Sequence, residues 1–271
     1  MKRHILTLWL SICLALGSFG IGWSGDFQKG VEAYNKGDFA TALKEWTPLA
    51  NLGNVKAQYN LGLMYDMGKG VLQDYKEAVR WYQLAAEQGY SSAQHNLGLL
   101  YFNGQGVPQD HQIAVEWITL SADQGKAESQ KNLGIIYRDG EVVPQDYQTA
   151  AKWFELAATK GNITSQINIG FFYYNGQGVP QDYQETVKWM TLASEQGSPQ
   201  AQHNMAYLYY NGQGVNIDKV YAHMWASISS SQGFENSKGL LEALNKEMTP
   251  SQIQEAQRLT EECIKKNYKG C

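Results

Sequence analysis

The sequence predicts an all-α, right-handed solenoid of antiparallel helix hairpins with a 36-residue period. Three columns carry the period. Gly53, Gly89, Gly125, Gly161, Gly197 and Gly233 keep the interval, as do Trp81, Trp117, Trp153, Trp189 and Trp225, and Tyr65, Tyr101, Tyr137, Tyr173 and Tyr209. A fixed interval of this length marks stacked units, each burying its apolar face only against its neighbours.

Residues 1–24 read as an export signal. Lys2, Arg3 and His4 form a basic start, Ile5 to Leu16 an apolar stretch, and small residues follow at Gly17, Ser18 and Gly20. Cleavage after Gly20 or after Ser24 satisfies the small-residue rule. Residues 5–23 carry no charge, close to the ~20 that span a bilayer, so retention as an anchor is the alternative. The glycines after Leu16 favour cleavage, and both routes leave the repeats outside the cytoplasm, periplasmic or secreted. Residues 25–53 read as a divergent hairpin cap, in which Gly37-Asp38-Phe39 and Ala42 fit the second-helix pattern while Trp46 is displaced by one position.

Five units follow, at 54–89, 90–125, 126–161, 162–197 and 198–233. In the first, Asn54 caps a helix through Ala57, Leu61, Met64 and Tyr65, and Gly68 ends it. Asp74 caps the second helix, with Glu77 placed for a capping box that Glu185 repeats; Ala78, Trp81 and Ala85 share one face. Asp110, Asp146, Asp182 and Asp218 continue the Asp74 series, and Pro199 suits a first helical turn. Small residues recur at Gly62, Gly98, Gly134 and Gly170, letting backbones approach, and the tryptophan and tyrosine columns are expected in the core. Residues 234–271 form a helical cap in which Thr249 caps a helix starting at Pro250. The two cysteines beyond the signal, Cys263 and Cys271, are an even pair in an exported chain and are expected to form a disulfide.

Charge narrows the partners. The net charge is −4, and loss of residues 1–24 removes Lys2 and Arg3 and no carboxylate, taking it to −6. With no basic stripe, nucleic acid is excluded as a partner. The Gly104-Gln105-Gly106-Val107-Pro108-Gln109-Asp110 turn looks like a phosphate loop, but a helix precedes it and Asp110 sits where a phosphate would. His95 and His203 share a repeat position three units apart, too far to share a metal; no metal, cofactor or catalytic residue is predicted.

The motifs resemble the Sel-one-like repeat (SLR), a tetratricopeptide relative, in its exported bacterial type. The signature stands as Ala57-Gln58-x-Asn60-Leu61-Gly62-x-x-Tyr65, then Gly68-x-Gly70-Val71-x-x-Asp74-Tyr75, Ala78, Trp81, Ala85-Ala86 and Gly89. Departures are Glu141-Val142 in one turn, Ala206 for the helix glycine, and Asn216-Ile217-Asp218 for Pro-Gln-Asp. The resemblance implies an adaptor that binds a protein or peptide. A monomer is expected, without membrane insertion once the signal is cut. It also implies that the first helices line the inner curve.

The varying stripes on those helices are then the candidate binding residues: Phe102, Lys131, Arg138, Phe171, Tyr174, His203, Tyr207 and Tyr210. His95 and Ile167 occupy the same stripes. Leu63, Leu99, Ile135 and Phe171 form a column that serves packing or binding equally well. Two other functions stand as alternatives. One is β-lactam binding or hydrolysis, linked to a cysteine-rich branch of the family; this chain has no cysteine in its repeats and no Ser-x-x-Lys. The other is a secreted effector acting on a foreign protein.

Overall fold

The computed structural model describes residues 25–271; the segment read as an export signal, residues 1–24, lies outside them. The described residues form helices and no strand. In chain order the helices pair as α1 (Phe27–Asn35) with α2 (Phe39–Asn51), α3 (Val55–Met67) with α4 (Tyr75–Glu87), and α5 (Ser91–Asn103) with α6 (His111–Asp123). Next come α7 (Ala127–Asp139) with α8 (Tyr147–Ala158), α9 (Ile163–Asn175) with α10 (Tyr183–Glu195), and α11 (Pro199–Asn211) with α12 (Lys219–Ser231). α13 (Asn236–Glu247) and α14 (Pro250–Lys265) close the chain.

Local chemistry sets the helix ends. Asp74, Asp110, Asp146, Asp182 and Asp218 each accept two backbone N–H groups at the start of a second helix. Gly68, Gly104, Gly140, Gly176 and Gly212 end the first helices at left-handed φ of 64° to 71°, a conformation costly for any residue with a Cβ. The capping boxes expected at Glu77 and Glu185 do not form. Glu77 bonds Arg80 and Glu185 bonds Lys188, because a basic residue one turn on is a better partner than a neutral N–H. The reciprocal box is at Thr249 and Gln252, heading α14.

The tightest packing lies one residue beyond the tryptophan column. Tyr82, Ile118, Phe154 and Met190 are at most 1% exposed, at the 36-residue interval. Each presses on a first-helix glycine. A Cβ on Gly62 would lie 2.4 Å from Tyr82, one on Gly134 2.6 Å from Phe154 and one on Gly170 2.9 Å from Met190. The last unit exchanges the sizes: Ala206 replaces the glycine and Ala226 the large residue, both fully buried in one cluster. Trp46 shares this phase, and a Cβ on Gly30 would meet its ring at 2.3 Å, which accounts for its one-residue displacement.

The aromatic columns are less uniformly interior than expected. Trp81, Trp189 and Trp225 are buried. Trp117 and Trp153, with Tyr65, Tyr101, Tyr137, Tyr173 and Tyr209, are half-buried rims of the core clusters, where amphipathic rings keep a wet edge.

Buried glutamines stitch the units together. Gln58, Gln94, Gln130, Gln166 and Gln202 each donate to a carbonyl of the preceding unit at 3.0–3.3 Å. Gln88, Gln124, Gln196 and Gln232 then donate to the side-chain oxygens of Gln58, Gln94, Gln166 and Gln202. At the far end α14 packs back on α12 rather than on α13. Cys263 and Cys271 are joined by a disulfide, and Gly270 N–H donates to Glu195 of α10 at 2.9 Å, tying the tail to the fifth hairpin.

Candidate peptide-binding groove

The predicted binding residues do not form one continuous surface. The helical frame sorts the stripe positions into those that face the groove and those that face the seam with the next unit. His95, in the second turn of α5, is only 8% exposed, and Ile167 of α9 is 7% exposed. Both belong to the seam, a correction to the stripe as drawn from spacing alone: in these two units the first member of the set is buried against neighbouring helices.

His95 shows what the seam does with a polar group. Its Nδ1 lies 2.8 Å from Ser129 Oγ, Ser129 donates to Ser121 Oγ at 2.7 Å, and Ser121 donates to the Ser91 carbonyl at 2.8 Å. Each hydroxyl has one proton, so the chain runs one way and Nδ1 carries the histidine proton. The pattern recurs 108 residues on as His203, Ser237, Ser229 and the Pro199 carbonyl. Burial, then the nearby Lys126, pushes His95 down to about 4; burial also lowers His203.

Three clefts open on the first-helix side. The fullest, about 340 Å³, lies between α9 and α11, over α10. It gathers four predicted residues, Phe171, Tyr174, His203 and Tyr207, together with Thr186, Met190, Asn204 and Leu208. Phe171 and Tyr207 are 37% and 49% exposed. Tyr174 is held by an edge-on contact with Tyr183 at 5.3 Å and a hydrogen bond to Gln213 at 3.1 Å; His203 sits 5.2 Å from both Tyr207 and Phe234. The second cleft, about 270 Å³, lies between α5 and α7, lined by Leu99, Phe102, Asn103, Ile118, Asn132, Ile135 and Ile136. The third, about 210 Å³, lies between α1 and α3, lined by Val31, Tyr34, Asn35, Trp46, Asn60 and Leu63. No cleft contains a charged residue.

The other predicted residues lie apart. Tyr210 donates to Glu247 at 2.8 Å, in a network with Lys219, and lines none of these clefts. Glu247 raises the Tyr210 phenol and is itself held low by Lys219 and Tyr210. Lys131 pairs with Glu128. Arg138 donates Nε to Asp139 at 2.7 Å and a terminal nitrogen to Asn168 at 2.6 Å.

The spacing argument missed the asparagines. Asn60, Asn132 and Asn204 are cleft residues, and Thr186 and Met190 form a cleft floor. Asn60, Asn96, Asn132, Asn168 and Asn204 keep the 36-residue interval in the sequence. That column was the available signal.

Among the described residues no helix is long and apolar enough to cross a membrane, and no group of three His, Cys, Asp or Glu side chains is placed to hold a metal ion.

The Sel1 repeat matches the chain five times, at residues 55–90, 91–126, 127–162, 163–198 and 199–234. Two solved structures are similar throughout. A protective antigen of uropathogenic Escherichia coli with an SLR fold is 32% identical, with a TM-score of 0.79 over 88% of this chain. The chain spans only 54% of that antigen. A Sel1 repeat protein from Oxalobacter formigenes is 29% identical, with a TM-score of 0.76 over 88% of this chain and 99% of its own. No curated protein matches.

Proposed function

This chain belongs to the Sel1 repeat family, and from that premise we propose that it is an exported, non-catalytic scaffold that holds a peptide or protein segment in the groove of its first helices. Sel1 repeat proteins generally mediate protein–protein interaction. The observation that carries the reading is the cleft between α9 and α11. Aromatic side chains on two rigid helices, with apolar walls and no charge, make the kind of pocket in which interface energy concentrates. Placement on helices rather than loops lowers the entropy lost on binding.

Export is supported by the basic-then-apolar start of the sequence and by the Cys263–Cys271 bond, which suits an oxidising compartment. The scaffold role is supported at two of the three histidine–serine contacts among the described residues; the third, Ser227 with His223, lies within one turn of α12. His203 and His95 each contact a serine, but Ser237 and Ser129 are fully buried and already donate to Ser229 and Ser121. A hydroxyl so committed is not a nucleophile poised for substrate. We further propose a monomer in the periplasm or outside the cell, with a protein partner and no nucleic acid.

The test is crosslinking in the producing cell's envelope fraction, comparing the wild-type chain with Tyr174→Ala plus Tyr207→Ala. Tyr207 replaces Tyr210 in this design because Tyr210 is engaged with Glu247. A crosslinked partner lost in the double variant, with an unchanged circular dichroism spectrum, is the expected result. A partner retained equally by both proteins places recognition elsewhere on the solenoid.

A further inference from the structure

The three clefts obey a period that the sequence repeat does not: they open at every second unit. Phe171, Tyr174, Met190, Asn204 and Tyr207 of one cleft stand 72 residues beyond Leu99, Phe102, Ile118, Asn132 and Ile135 of another. Between them the equivalent crevice is closed. Arg138 takes the Phe102/Tyr174 position and reaches across to the Asn168 carboxamide at 2.6 Å, which also donates to its own helix at Thr164. Two units earlier than Arg138, Asp66 takes that position, accepts from Tyr82, and Asn96 donates to the same phenol, both at 3.0 Å.

The asparagine column therefore divides in two. Asn96 and Asn168 are occupied by their neighbours. The Asn60 and Asn132 carboxamides make no hydrogen bond to any described residue, and that of Asn204 meets only the Met190 thioether at 3.6 Å. The carboxamides without an N–H···O partner are those that line the open clefts.

Resting on the groove reading above, we propose that the occupant is an extended polypeptide strand with two uncharged apolar anchors about six residues apart. The anchors fill the α5–α7 and α9–α11 clefts, and Asn132 and Asn204 pair with the strand's backbone. Charge complementarity sets the anchor chemistry, since neither cleft has a charged side chain with which to neutralise a charged anchor. A carboxamide offers one donor face and one acceptor, the complement of a peptide group. A helical ligand satisfies its own backbone and gives these amides nothing, whereas an extended strand leaves N–H and C=O groups free. Neighbouring packed helices lie about 8–10 Å apart, so a two-unit step is on the order of 16–20 Å. At about 3.3 Å per residue, that is five to six residues of strand.

The experiment is selection of a displayed library of random 16-residue peptides on the immobilised protein, followed by synthesis of the enriched sequences. The expected result is a pair of aliphatic or aromatic residues at i and i+6, an even spacing that puts both side chains on one face of the strand. Asn132→Leu and Asn204→Leu, each shown folded by circular dichroism, should weaken the synthesised peptides about tenfold, as should N-methylation of the peptide amide beside an anchor. Arg138→Ala should open the middle crevice, and a selection on that variant should add a third apolar residue at i+2 or i+4, on the same face of the strand. Anchors at i and i+11, the helical spacing for the same distance, or binding unaffected by the asparagine changes, would overturn the strand while leaving the groove in place. No enrichment at all, together with a partner crosslink unaffected by the tyrosine changes, would overturn the groove reading as well.

Discussion

Lys160 interrupts the glutamine stitch, and restoring it should stabilise the protein. In four units a glutamine near the end of the second helix donates to the preceding glutamine's side-chain oxygen at 2.7–2.8 Å. Lys160 stands at the fifth equivalent place and bonds the Gly125 carbonyl instead. Gln130, 3% exposed, still donates to Ala122, but its Oε1 is buried with no partner. An unmet buried acceptor costs about 1–3 kcal/mol, and the exposed bond from Lys160 offsets part of that. Lys160→Gln should therefore gain about 1 kcal/mol, or roughly 2–4 °C in Tm for a chain of this size. The assay is urea unfolding followed by both tryptophan fluorescence and far-ultraviolet circular dichroism, since coincident transitions license a two-state analysis. The gain should vanish in a Gln130→Ala background. A neutral or destabilising Lys160→Gln, or an equal gain without Gln130, refutes the account of the stitch.

Two further predictions concern the core and the seam. Gly134→Ala brings a methyl within 2.6 Å of the fully buried Phe154 ring; overpacking of about 1–3 kcal/mol less about 1 kcal/mol of helix propensity leaves a net loss. In a Phe154→Ala background the same change should stabilise by about 1 kcal/mol, mimicking Ala206 with Ala226, and denaturant midpoints of the four proteins check the reversal of sign. His95 is held neutral in the fold, from an ordinary 6.5 down to about 4, by burial, Lys126 and Lys131, with Glu128 opposing. Its neutral form supports stability above pH 6.5, and that support is lost as pH falls toward 4, by about 3 kcal/mol at most. Between pH 6.5 and 5, before most carboxylates titrate, His95→Gln should flatten the decline in unfolding free energy measured with urea.

The fold was legible because its determinants are local and repeated. Asp74 and its successors cap helices through their own next turn, and Gly68 and its successors end them through one backbone angle. Neither depends on what lies across the molecule. The groove was only half legible. Phe171, Tyr174, His203 and Tyr207 converge because i, i+4 and i+7 spacing places them on adjoining helices. His95 and Ile167 share that spacing yet turn into the seam, a matter of how far each helix is rotated about its axis, which one stripe does not encode. Tyr210 was lost to Glu247, a partner 37 residues away in a helix outside the repeats. Trp46 looked misplaced only while the tryptophan column was taken as the reference; measured against Tyr82 and Phe154 it is in phase.

The same contrast indicates where recognition is written. Positions that keep the 36-residue period hold the solenoid together, so they say little about the ligand. Information about the partner lies where the period fails on the open face: Asp66, Phe102, Arg138, Tyr174 and Tyr210 put four residue types at one repeat position. Two of them, Asp66 and Arg138, fill the crevice through a hydrogen bond to a residue of the same or next unit, so each closes a site by acting on a neighbour. Tyr82 couples the two effects, since its ring packs on Gly62 while its hydroxyl joins Asp66 to Asn96. Removing that hydroxyl alone, as in Tyr82→Phe, keeps the ring and the core contact but takes a partner from both Asp66 and Asn96. A substitution that never touches an anchor can thus alter the polar groups that close a crevice, without changing the fold that presents it.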